Sequence, residues 1–222
     1  MYQIAIDGPS GAGKSSLARE VAARLQFVYV DTGALYRAVG LYMLRHGITP
    51  GDRTAVCAVL NRVSVSIAYQ DGNQHVFLNG EDVSEAIREH TVSYYASQVS
   101  AIPEVRAYLL DLQRDMAKVH NVVMDGRDIG TVIFPDAQVK IFLTASDETR
   151  ARRRCRELEQ KGQDVDYETV LRDIRARDAH DSGRDIAPAV AAPDAVLLDN
   201  SGLNAEETVQ AALHIIRRKI HD

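Results

Sequence analysis

The sequence predicts an α/β fold: a five-stranded parallel sheet flanked by helices, with an antiparallel hairpin inserted in the first half and a helical flap late in the chain. Three observations carry this reading. Five short apolar runs, YQIAID, FVYVD, NVVMD, VKIFLTA and AVLLD, are β-branched or aromatic, and each lies beside a helical pattern, as in a buried parallel sheet covered on both faces. Four of them end in an acidic residue, at the strand carboxyl ends where such sheets bind ligands. A glycine-rich loop, DGPSGAGKSS from Asp7 to Ser16, joins the first run to the first helix.

The helices follow from periodicity. Leu17, Val21 and Leu25 recur at helical spacing after the loop, and Leu35, Val39 and Met43 do so before Gly47, a C-cap signal. Val105, Leu109, Leu112 and Met116 follow Pro103, which suits a first-turn position. The last helix is expected from Ala205 to Ile220. Between these, Val63 to Gly80 alternates at period two around Asp71-Gly72, the signal of an antiparallel hairpin. Residues 147–185 read as a charged helical hairpin broken at Lys161-Gly162, with Asp166 as N-cap and Val165 and Val170 placed for a hydrophobic staple. Its ten basic and eleven acidic residues nearly cancel. That balance argues against an RNA-binding arm and for a solvated, moving flap with little apolar seam.

At 222 residues the chain has room for one sizeable core with insertions. A net charge of −5 argues against a general nucleic-acid or membrane-surface binder. Cys57 and Cys155 have no partner spacing and read as reduced thiols, and the seven histidines form no metal-ligand pattern. Only Met1 precedes the first strand, so no signal peptide is expected, and no apolar run approaches the ~20 residues of a membrane span. The expectation is a soluble cytoplasmic monomer with no membrane or nucleic-acid partner. Arginine outnumbers lysine 21 to 5, which suits bidentate phosphate recognition; codon bias is an equal alternative.

Gly8-x4-Gly13-Lys14-Ser15, with Gly11 inside it, fits the P-loop pattern. Glycines let backbone N–H groups turn around an anion, and the following helix adds its positive end. Lys14 would reach the β- and γ-phosphates, and Ser15 would offer a hydroxyl to Mg²⁺. Switches, motors and kinases all use such a loop. A GTP switch needs an Asn-Lys-x-Asp reader and a transporter ATPase a Leu-Ser-Gly-Gly-Gln signature, and the sequence has neither. Two further stretches sit at strand ends: VDTGALYRA, where Arg37 could clamp an anion at a helix start, and MDGRDIGTVIFPDA, where Asp125 could position Mg²⁺ through water. Each alone could be a capped turn with a surface ion pair.

In order, IDGPSGAGKSS, DTGALYR, ASQVSAIPEVR, DGRDIGTVIFPDA, KIFLTAS and RDAHDSGRDIAP resemble the bacterial cytidylate kinases, a family of P-loop nucleoside monophosphate kinases. The matches span essentially the whole chain. The resemblance implies Mg-ATP-dependent phosphoryl transfer to CMP or dCMP, giving ADP and CDP or dCDP, in pyrimidine nucleotide metabolism. It implies one kinase domain with a core at about 1–33, 104–146 and 186–222, a monophosphate-binding region at about 34–103 and a lid at about 147–185.

The resemblance also implies residue roles. Lys14, Arg127 and Arg184 form the catalytic set. ATP falls to Gly8, Pro9, Ser10, Gly11, Ala12, Gly13, Lys14, Ser15 and Ser16, with the lid arginines Arg150, Arg153 and Arg154. CMP falls to Thr32 and to three groups: Arg37 and Arg127 grip the acceptor phosphate, Ser97, Arg106 and Asp128 read cytosine, and Arg177, Asp181 and Arg184 touch the ribose and phosphates. Ser15-Ser16 stands where the family often has Gly-Thr or Ser-Thr, and His180 where arginine is frequent. Without the resemblance, Arg177, Asp181 and Arg184 could be an ion-pair ladder on a helix surface contributing ~0.2–0.5 kcal/mol per pair. Gly183, which would end that helix, favours the site. For Arg150, Arg153 and Arg154 a solvated helix face is an equal alternative.

Overall fold

The computed structural model describes residues 1–70, 73–160 and 162–221. Along the chain these form β1 (Gln3–Asp7), α1 (Lys14–Leu25), β2 (Val28–Asp31), α2 (Thr32–Arg45), α3 (Arg53–Val59), β3 (Val65–Gln70), β4 (Asn73–Leu78), β5 (Glu81–Asp82), α4 (His90–Val99) and α5 (Pro103–Val119). There follow β6 (Val122–Asp125), one turn of π-helix (Ile129–Ile133), β7 (Val139–Thr144), α6 (Asp147–Gln160), α7 (Tyr167–Ser182), β8 (Val196–Asp199) and α8 (Ala205–His221). The five-stranded sheet runs β2-β6-β1-β7-β8, and a separate three-stranded sheet runs β3-β4-β5. The α/β fold class, with its parallel sheet flanked by helices, is the one the sequence predicts.

The chain divides into two compact units, residues Val28–His120 with Met1, and Tyr2–Phe27 with Asn121–Asp222. In the second unit β1 pairs in parallel with β6 through Ile4↔Val123 and with β7 through Ile6↔Ile141, and β7 pairs in parallel with β8. Ile4, Ala5, Ile6 and all four residues of β6 are buried, as unbroken apolar runs must be when helices cover both faces of a sheet. The strand β8 departs from the expectation of five buried strands. It ends the strand order, and Leu197 is 68% exposed.

The helical hairpin of residues 147–185 shows its predicted cap and staple. The Asp166 side chain accepts from the Thr169 amide, and Val165 packs against the cluster that holds Val170. Lys161 of the predicted break lies outside the described residues, while Gly162 has a φ of +73°, the left-handed region that favours glycine. The expectation of little apolar seam is corrected. Ala151, Cys155 and Leu158 of α6 pack with Val170, Leu171 and Ile174 of α7 in a cluster of their own. These sit at i, i+4, i+7 on one helix and i, i+1, i+4 on the other, one narrow stripe hidden among many charges.

The other unit has its own core, with Leu35, Val39 and Met43 of α2 among Val92, Val99, Val105 and Leu109. At Gly40 α2 meets α4 so closely that a Cβ would lie 2.8 Å from the Ala96 nitrogen. The predicted hairpin is β3 and β4, antiparallel from Val65↔Leu78 to Gln70↔Asn73; its Asp71-Gly72 turn lies outside the described residues. A short third strand, β5, extends it through Leu78↔Glu81.

Candidate active site

The strand β1 stops at Asp7 and the loop begins at once. Gly8 has a φ of +146°, and a Cβ there would stand 2.0 Å from the Leu143 carbonyl oxygen, so β7 and the loop can approach only at glycine. Gly13, at φ +90°, precedes the first turn of α1. Side chains take three of the loop's carbonyls. Lys14 Nζ donates to Pro9 O at 2.7 Å, Arg150 Nη1 to Ser10 O at 2.9 Å and Asn200 Nδ2 to Ala12 O at 3.0 Å.

Lys14 is buried at the helix start. Burial and the Arg127 and Arg177 charges push its ammonium well below the usual lysine value, against the pull of Asp125 and Asp7. An anion in the loop would supply the missing counter-charge. Ser15 Oγ donates to Asp125 Oδ2 at 2.8 Å. A hydroxyl with one carboxylate is a hard-oxygen donor pair that fits Mg²⁺, which keeps several waters and takes its remaining ligands from phosphates. Among the described residues no group of three or more His, Cys, Asp or Glu could hold a metal by itself.

Asp7 does work that the sequence does not announce. Its two carboxylate oxygens accept the Ile129 and Gly130 amides, each at 2.8 Å. The π-turn that carries these amides follows Asp128 directly, so the residue before the phosphate loop pins the peptide after Asp128. Burial pushes the Asp7 carboxyl up to about 6, although the two amide bonds oppose it.

Arg127, Arg177, Asp181 and Arg184 converge. Arg127 Nε donates to Asp181 Oδ2 at 3.1 Å, and Arg184 donates to Asp181 Oδ1. Burial alone would raise the Asp181 carboxyl, but the Arg127, Arg184 and Arg177 charges outweigh it and hold it below the usual carboxylate range. A solvated ladder does not describe this group. Asp181 is buried, α7 ends at Ser182 with Gly183 as its C-cap, and Arg184 lies beyond the helix. His180 Nδ1 lies 3.6 Å from Asp181 Oδ1, is buried, and makes no hydrogen bond.

The three arginines of α6 separate. Arg150 is buried and bonded to protein on all sides, so a solvated helix face does not describe it. Arg153 holds Asn200 by its Oδ1 at 3.1 Å and its carbonyl at 2.8 Å. Arg154 is a third exposed and pairs with Glu157.

In the unit of residues 28–120, Asp31 caps α2 by accepting the Ala34 amide at 2.9 Å, and its other oxygen takes Arg37 Nη2 at 2.8 Å. Thr32, the first residue of α2, is buried, as is Arg37 Nε, which makes no hydrogen bond. The Ser97 carbonyl on α4 accepts the Ser100 hydroxyl at 2.8 Å. Arg106 on α5 is buried, with its guanidinium 5.6 Å from the Tyr36 ring centroid and Nη1 donating to Ser100 O at 3.1 Å. Asn200 and Asp178 carry no sequence signal, being single polar residues at a strand end and on a charged helix.

A glycine-rich loop between a parallel strand and a helix, with a Ser–Asp pair at the end of the neighbouring strand, is the P-loop arrangement of nucleoside triphosphate-binding proteins. The fold is similar to that of an uncharacterized protein from Eubacterium ventriosum (TM-score 0.55, 12% identity, 98% of this chain and 99% of that one). It is also similar to a gluconokinase from Sinorhizobium meliloti (TM-score 0.50, 15% identity, 98% and 92%). A family model for cytidylate kinase matches residues 4–218. A cytidylate kinase of Carboxydothermus hydrogenoformans is 51% identical over 217 residues, 98% of each chain. One of Caldicellulosiruptor bescii is 49% identical over 217 residues, 98% of this chain and 96% of the other. The chain belongs to the cytidylate kinase family. As such it is a nucleoside monophosphate kinase. Among the described residues no helix is long and apolar enough to cross a membrane.

Proposed function

We propose that the protein transfers the γ-phosphoryl group of ATP to CMP or dCMP, releasing ADP and CDP or dCDP, as a cytoplasmic monomer in pyrimidine nucleotide metabolism. The observation that carries this is the Asp7 carboxylate, which ties the phosphate loop to the Arg127-Asp128 stretch through the Ile129 and Gly130 amides. A loop for ATP and a stretch for the acceptor are thereby held in register. In this reading residues of about 34–103 bind the monophosphate, about 147–185 form the lid, and the remainder is the core.

ATP binds along Gly8, Pro9, Ser10, Gly11, Ala12, Gly13, Lys14, Ser15 and Ser16, with Arg154 at the solvent side. Ser15, and Asp125 through water, would hold Mg²⁺, which would supply charge to shield the phosphates of ATP. The attacking oxygen belongs to a phosphate monoester whose second pKa is ~6, so no general base is required. The difficulty is bringing two polyanions together, which Lys14, Arg37, Arg127, Arg177 and Arg184 offset by positioning and charge. Asp181 keeps Arg127 and Arg184 aimed. Thr32 contributes to the CMP site, and a closed lid excludes water that would hydrolyse ATP.

Ser97, Arg106 and Asp128 read the base. A carboxylate accepts from cytosine N4, whereas uracil turns an acceptor against it, and such a mismatch of buried polar groups can discriminate on the order of 10⁴. A coupled assay with ATP against CMP, dCMP, UMP, AMP, GMP and shikimate tests the reading. CMP and dCMP should be the preferred acceptors, and preference for another overturns it. Asp128→Ala should lower kcat/KM for CMP far more than for UMP. An unchanged CMP-to-UMP ratio in the folded variant refutes the role of Asp128.

A further inference from the structure

The phosphate loop is held from outside by one helix. Arg150, in the first turn of α6, is only 3% exposed and has its donors on protein acceptors. Its Nε donates to Ala145 O at 3.0 Å, its Nη1 to Ser10 O at 2.9 Å and to Asp178 Oδ2 at 2.5 Å, and its Nη2 to Asp147. Asp178, on α7, offers its other oxygen to the Ser10 amide at 3.4 Å. The Arg150–Asp178 pair therefore brackets Ser10 at its N–H and its carbonyl. α6 also packs directly on the loop, since a Cβ at Gly11 would stand 3.4 Å from Arg150 Cβ. One turn further along α6, Arg153 grips Asn200, and Asn200 Nδ2 holds Ala12 O.

Peptide geometry gives these bonds a consequence. In a planar trans peptide the carbonyl of one residue and the N–H of the next point in opposite directions. A side chain that fixes Ser10 O therefore fixes the direction of the Gly11 N–H, and one that fixes Ala12 O fixes the Gly13 N–H. Both amides belong to the loop that receives phosphate, and glycine at both positions leaves those peptides free to rotate unless something holds them.

We propose that α6 braces the phosphate cradle: Arg150, locked by Asp178, and Arg153, acting through Asn200, are positioning residues that orient the Ser10–Gly11 and Ala12–Gly13 peptides toward ATP. The proposal rests on the assignment of ATP to this loop. It gives Arg150 and Arg153 a role through the backbone instead of a direct contact with nucleotide.

The test measures ATP binding without acceptor, by titration calorimetry, together with CMP binding and the thermal midpoint. Asp178→Asn keeps size and removes the charge that locks Arg150, and Asn200→Ala removes the grip on Ala12. Each should weaken ATP about tenfold while CMP affinity changes less than twofold. Arg150→Lys should weaken ATP similarly, and the Arg150→Lys, Asp178→Asn double variant should be no weaker than the worse single variant, because both act through one bond set. Should Arg150→Lys fail to fold, Asp178→Asn and Asn200→Ala carry the test.

Asp178→Asn binding ATP as tightly as the parent, or more tightly, overturns the proposal, because a guanidinium released onto a nucleotide gains from losing its partner. Equal weakening of ATP and CMP with a lowered midpoint also overturns it, since that is a loosened fold. A parent enzyme that binds ATP but prefers another acceptor would refute the CMP assignment and leave the brace measurement intact. A parent that fails to bind ATP would refute both.

Discussion

Asp7→Asn gives a prediction with a sign that can be worked through. The carboxyl of Asp7 is buried and raised from 3.8 to about 6, with burial as the main cause. Below pH 3.8 both the folded and the unfolded chain hold the proton. Between pH 3.8 and about 6 the folded chain keeps a proton that the unfolded chain has released, so folding stability falls as pH rises across that window. Above about pH 6 the penalty is complete, on the order of 3 kcal/mol at 1.36 kcal/mol per pH unit. Roughly 2 kcal/mol of this falls between pH 4.5 and 7.5.

Asparagine is the shape of the protonated acid and cannot ionise. It retains one acceptor for the Ile129 and Gly130 amides and turns an N–H toward the other. Against the parent, Asp7→Asn should therefore gain about 2 kcal/mol in relative stability from pH 4.5 to 7.5. The assay is urea unfolding of both proteins at several pH values, where other titrating groups cancel in the difference. Activity should fall at every pH, because one of the two amides after Asp128 loses its acceptor. A stability difference that stays flat across this range, or that shrinks toward pH 7.5, refutes the reasoning.

Lys14→Met should lower kcat by about 10²–10³-fold, the scale of losing a donor aimed at developing charge, while urea unfolding at pH 7.5 shows a chain at least as stable as the parent. The second half follows from burial, which disfavours the ammonium; near-normal turnover in a folded variant defeats the P-loop assignment. The lid segment, residues 147–185, should exchange its amides more slowly when a bisubstrate analogue binds. Its apolar seam joins α6 to α7, and hydrogen exchange read by mass spectrometry that is indifferent to the analogue counts against a lid.

Much of the fold was legible because its signals are local. The loop pattern from Gly8 to Ser15, Pro103 at a helix start, Asp166 and Gly183 at the ends of α7, and the alternation of β3 and β4 each act over a few residues. Apolar runs announced the strands, but not that β8 would stand at an edge with Leu197 in solvent, because exposure depends on what lies beside a strand. The site was legible as residue types, a phosphate loop with arginines and acids at strand ends. What holds those residues was not. Asp7 reaches Ile129 across 122 positions, Arg150 reaches Ser10 across 140, and Asn200 reaches Ala12 across 188. Periodicity and caps report on neighbours in sequence, whereas these bonds exist only once the parallel crossovers have stacked β1, β6, β7 and β8 side by side. Local chemistry chose the elements and the reacting groups; the strand order, which is a property of the whole chain, decided which carbonyl each arginine would hold.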